Sequence, residues 1–164
     1  MTAPEIDEEP PEHRRYARYL QVLDGVPESV LEADEADLVA GILRDDCVSM
    51  AESAVNRHLE RRAAHLLTGS GFPAWARMMA AVIGDRPFLV RRLREWTLLR
   101  TVALDEPWTA EELTGASDWF QRTASAAQVV TSPDALTLLA EHGRTRRVRN
   151  AASRRIEGPG QRTS

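Results

Sequence analysis

Apolar residues recur three and four apart along most of this chain, the spacing of helices that bury one face. Tyr16, Tyr19, Leu20 and Leu23 make the first stripe, which begins near Glu12 and stops at Asp24-Gly25-Val26-Pro27. Pro27 to Leu31 reads as a short helical turn, and Glu35 to Leu43 as a helix with Leu38, Val39, Ile42 and Leu43 on one side. After the turn Arg44-Asp45-Asp46, Ser49 is the expected cap of a long helix reaching about Leu67. Its inward stripe would be Ala51, Ala54, Val55, His58 or Leu59, and Leu66. Thr68 to Pro73 is the clearest break. Helices are then predicted over Trp75 to Ile83 and, past Gly84-Asp85-Arg86-Pro87, over Phe88 to Leu104. Thr109 and Glu112 have the spacing of a capping box, and the helix they open is punctuated by Gly115 and Ser117 before Trp119 and Phe120. Only Gln128 to Thr131 alternates at period two, and weakly, so the class is all-α.

One phrase occurs about twice. Asp34 to Leu59 and Ser132 to Ile156 each read as a short apolar helix, a polar turn and a second helix rich in small apolar residues. With Ala140 set on Leu43, Leu139 meets Ile42, Val148 meets Ala51, Ala151 meets Ala54 and Ala152 meets Val55. Met79 to Ile83, the Gly84 turn and the run from Phe88 read as a third, degenerate copy. The C-terminal copy, through Ser132-Pro133-Asp134-Ala135-Leu136, Leu139-Ala140, Val148-Arg149 and Ala151-Ala152, resembles a HEAT-like or leucine-rich-variant helical repeat. Gly143-Arg144-Thr145-Arg146 departs from the Asp-Pro turn of such repeats, as an array's last unit would. The resemblance implies a short α-solenoid-like stack of antiparallel helix pairs, used as a scaffold for protein or nucleic-acid contacts. It implies no particular chemistry.

At 164 residues, 43% of them hydrophobic and 28% charged, the chain is long enough for one domain with a core. That domain is expected over 13–157. Residues 1–12, with five acids, three prolines and no base, should be a disordered acidic arm, and 158–164 a disordered tail. The net charge of −4 argues against general binding to nucleic acid or membrane. The single cysteine excludes an intramolecular disulfide framework. The polar, acidic start and the short apolar runs point to a cytoplasmic protein with no membrane partner. All 21 basic residues are arginine, which fits the high-GC coding vocabulary of an actinobacterial type.

Candidate chemistry is sparse. Cys47 has no base placed beside it by the sequence. His58 and His65, seven apart, lie too far along a helix to share one metal. No phosphate loop, His-Glu-x-x-His or Ser-His-Asp order occurs, so no catalytic residue, metal or cofactor is expected. Trp75, Trp96, Trp108 and Trp119 fall in the middle third and read as core residues of successive helices or, as a surface cluster, as an anchor patch for a partner. Arginine recurs on the second helix of each copy. Arg57, Arg61, Arg91, Arg94 and Arg147 are therefore the candidate surface for an acidic protein partner. The alternative is nucleic acid. From Glu141 on there are seven arginines against two glutamates, and Arg144, Arg146, Arg149, Arg154 and Arg155 would meet phosphates. Residues 108–126 could also form a helix-turn-helix presenting Gln121 and Arg122 to bases. The leading expectation is a non-catalytic interaction module or adaptor.

Overall fold

The computed structural model describes residues 10–26 and 32–158; the short turn expected over Pro27 to Leu31, the acidic arm to Glu9 and the tail from Pro159 lie outside them. Among the described residues the chain is all helical, with nine helices and no strand. They are α1 (Pro11–Asp24), α2 (Glu32–Ile42), α3 (Val48–Leu66), α4 (Phe72–Ile83), α5 (Pro87–Ala103), α6 (Ala110–Gly115), α7 (Asp118–Ala126), α8 (Pro133–His142) and α9 (Arg146–Glu157). Contacts divide the chain into two compact units, Met1–Leu93 and Arg94–Ser164, a finer division than the single body expected over 13–157. The division falls inside α5.

In the first unit α3 is the central element. Ala51, Ala54, Val55, His58, Leu59, Arg62 and Ala63 form its buried stripe, so His58 and Leu59 both face inward and Ala63 takes the place expected of Leu66. Helix α1 packs on α3 through Leu23, and α2 packs mainly on α4, whose Phe72, Trp75, Met79 and Ile83 are all buried. The helix expected to be capped by Ser49 instead begins at Val48, after Cys47, with no side-chain cap. Asp45, in the preceding turn, accepts hydrogen bonds from the Cys47 amide at 2.9 Å and the Tyr19 hydroxyl at 2.7 Å, and pairs with Arg15 at 3.0 Å. This ties α1 to the α2–α3 turn. The Cys47 amide first, then Tyr19 and Arg15, hold the Asp45 carboxyl below its ordinary pKa.

In the second unit the helix starts follow local rules. Thr109 and Glu112 form the expected reciprocal capping box on α6, at 2.8 and 3.2 Å. Ser117, Ser132 and Thr145 each accept from the amide three residues on, capping α7, α8 and α9. Helices α8 and α9 pack intimately on one another, and α9 also lies against α7. Their corner is tight. A Cβ on Gly143 would stand 2.5 Å from the Leu139 carbonyl oxygen and 2.7 Å from a Val148 methyl.

Of the matched pairs, Ile42 and Leu139, Ala51 and Val148, and Val55 and Ala152 are buried in both copies, whereas Leu43 and Ala54 are buried but their counterparts Ala140 and Ala151 are only half-buried. The packing around them differs. Helices α8 and α9 meet extensively, whereas α2 and α3 meet little and turn to α4 and α1.

Candidate functional site

A dense polar group is buried between α2, α3 and α4. Glu35 lies on the apolar stripe of α2, four residues before Val39 and seven before Ile42, and its side chain is fully buried. Its Oε1 accepts from His58 Nε2 at 2.8 Å, Trp75 Nε1 at 3.0 Å and Arg62 Nε at 3.1 Å. Its Oε2 accepts from Arg62 Nη2 at 3.2 Å. His58 and Arg62 are four apart on α3, one turn along the same face. His58 turns its other nitrogen, Nδ1, toward Arg61 Nη2 at 3.5 Å, and that same nitrogen donates to the Leu23 carbonyl at 2.7 Å. Arg61 therefore extends the network to the end of α1.

Burial pushes the Glu35 pKa up, but the hydrogen bonds from His58, Arg62 and Trp75 outweigh it and hold the group at about 2. A carboxylate so strongly held stays ionised and takes up no proton at neutral pH, and it is sealed from solvent. The arrangement suits a structural tie. Removing a carboxylate of this kind leaves a buried guanidinium without its counter-ion. Sequence reading passed over Glu35. The available signal was a charged residue at a core position of an apolar stripe, which implies a buried partner.

The arginines divide into engaged and exposed sets. Arg57, Arg91 and Arg94 are exposed and have no ion pair among the described residues. Arg61 is partly engaged, with Leu23 and with Asp24 at 3.8 Å. Of the candidate partner surface, Arg57, Arg61 and Arg91 belong to the first unit, and Arg94 and Arg147 to the second.

In the C-terminal segment Arg149 donates to the Gly143 carbonyl at 2.7 Å. Arg155 donates to the carbonyls of Ala124, Ser125 and Val130. Both are half-buried. Arg144, Arg146, Arg147 and Arg154 remain exposed. Gln121, the expected base reader, is fully buried. Its amide donates to the Leu113 and Thr114 carbonyls at 2.9 and 3.3 Å, and its oxygen accepts from the Arg144 amide at 2.8 Å. It thus joins α6, α7 and the α8–α9 corner and presents no atom to a groove. Arg122 is exposed and paired with Asp118 one turn back, at 3.1 Å.

Between α7 and α9 lies an open cleft of about 430 Å³, lined by Trp119, Arg122, Arg147, Val148, Ala151 and Arg154 among others. Trp119 meets Trp96 edge to face, with centroids 5.3 Å apart. Trp75 and Trp96 are buried, while Trp108 and Trp119 are half-buried.

His65 is exposed and stands apart from the buried His58. Among the described residues no group of three histidine, cysteine or acidic side chains is placed to hold a metal, and no helix is long and apolar enough to cross a membrane. Comparison with family models, with curated proteins and with solved structures gives no match.

Proposed function

We propose that this chain is a cytoplasmic, non-catalytic helical-repeat module that binds an acidic protein partner through exposed arginines. The observation that carries the reading is the division of the arginines. Arg62, Arg149 and Arg155 are consumed inside the fold, whereas Arg57, Arg91, Arg94, Arg147 and Arg154 stay exposed without a counter-ion among the described residues. Guanidinium forks left facing water in a chain of net charge −4 suit carboxylates supplied by another molecule. Three of the five matched pairs of the two copies, Ile42/Leu139, Ala51/Val148 and Val55/Ala152, are buried in both, which supports the repeat reading.

Nucleic-acid readout is weaker on the same residues. Gln121 is internal, and two of the five arginines proposed for phosphate contact already hold carbonyls.

The test is capture from native cell extract by the tagged full chain, with and without nuclease, eluted by a salt gradient and compared with R57E/R91E. The expected outcome is a nuclease-resistant protein that elutes with salt and is weakened or lost with the charge reversal. Capture unchanged by the reversal, or nucleic acid as the species recovered, overturns the reading.

A further inference from the structure

Arg147 and Arg154 are seven residues apart on α9, two turns, so they share one side of it about 10 Å apart. That side borders the α7–α9 cleft, whose walls they form. The half-buried Ala151 lies between them, over the fully buried Val148, with Trp119 across from it on α7. Arg122, already paired with Asp118, adds lining rather than unneutralised charge. The cleft therefore joins an apolar, aromatic bed to two guanidinium groups that have no acidic partner among the described residues.

We infer that the α7–α9 cleft docks a short acidic peptide segment, with an aliphatic side chain on Trp119 and Ala151 and carboxylates on Arg147 and Arg154. This rests on the proposed function and assigns the place where its partner is anchored. Charge complementarity names the occupant. Helix α9 carries five arginines against one glutamate, so a segment rich in aspartate or glutamate is attracted and a basic one repelled. The apolar bed argues for a peptide over a polynucleotide. A polyanion tracks an extended cationic groove, whereas two arginines flanking an alanine opposite a tryptophan match one side chain between two carboxylates. An aromatic beside arginines is also the composition of binding hot spots. Arg149 donates to the Gly143 carbonyl at the α8–α9 corner, and Arg155 to the Val130 carbonyl in the α7–α8 connection, so neither is available to the peptide.

The test uses the full chain and a short fluorescein-labelled peptide of glutamate and leucine, followed by anisotropy and by tryptophan emission. Controls are the same peptide with lysine for glutamate and a single-stranded oligonucleotide. R147E/R154E alters exposed side chains only, and thermal melting checks that it folds. The expected result is saturable, salt-sensitive binding of the acidic peptide, weakened at least about tenfold in R147E/R154E and little changed in R57E/R91E. W119F should weaken it less. Equal affinity of R147E/R154E, tighter binding of the oligonucleotide, or no saturable peptide binding overturns the assignment. Extract capture lost in R57E/R91E but kept in R147E/R154E would retain the module and remove the cleft. Peptide binding lost in R147E/R154E while capture is unaffected by R57E/R91E would retain the cleft and remove the wider arginine surface.

Discussion

The two units solve the same problem with different chemistry. Among several buried polar side chains, each unit has one that joins three elements: Glu35 joins α2, α3 and α4, and Gln121 joins α6, α7 and the α8–α9 corner. The first is an ionic tie, the second a neutral one. Taking an ion pair out of water is expensive and is offset only when every lone pair is satisfied, so the Glu35 site tolerates no missing partner. An amide asks less and returns less. In the register that aligns the two copies, Glu35 falls on Ser132, a buried hydroxyl that merely caps α8. One position thus carries a charge in one copy and a cap in the other. The surrounding packing diverges with it, α8 lying on α9 while α2 turns to α4.

The sharpest way to break the comparison is Glu35→Ala. It should cost about 3–5 kcal/mol in urea unfolding, because the buried Arg62 loses its counter-ion. A loss under 1 kcal/mol would mean that water reaches the site.

The ionic tie also makes stability depend on pH. The folded Glu35 pKa of about 2 lies below the ordinary glutamate value of 4.5. The charged form is therefore favoured by folding. Its contribution is full above pH 4.5 and fades as pH falls toward 2, about 3 kcal/mol in all. The stability gap between wild type and Glu35→Gln should narrow over that window, and a constant gap would refute the linkage.

At the second unit Gln121→Ala should cost about 2 kcal/mol by leaving two carbonyls and the Arg144 amide without their partner. This cost should not change across the acid window that moves Glu35.

Glycines sharpen the contrast between the copies. Gly143→Ala puts a methyl into the α8–α9 corner and should cost about 1–3 kcal/mol by overpacking. Gly41→Ala, in α2, meets nothing within 4 Å and should stabilise by up to about 1 kcal/mol. Calorimetry of the two variants checks both signs.

Much of the fold was legible because its signals are local. The all-α class follows from apolar spacing, and the α6 capping box from Thr109 and Glu112 three residues apart. The breaks at Asp24-Gly25 and Gly84-Asp85-Arg86 fall where the helices end. The Ser49 cap failed because a serine near a helix start is only one of several ways to begin; here the Asp45 carboxylate takes the Cys47 amide just before α3 opens.

The sequence by itself determined what acts over three or four residues: which segments are helical, which face is apolar and where the α6 capping box sits. Tertiary structure alone decided which polar groups are used up inside. Glu35 finds its partners 23, 27 and 40 residues away. Gln121 turns inward to an amide 23 residues on. Arg155 reaches a carbonyl 25 residues back, while Arg154 beside it stays in water. An arginine's pattern in sequence reports only the side of the helix it occupies. Whether that side meets a carbonyl, a carboxylate or water depends on what the fold brings opposite it, and that sets its desolvation and its role.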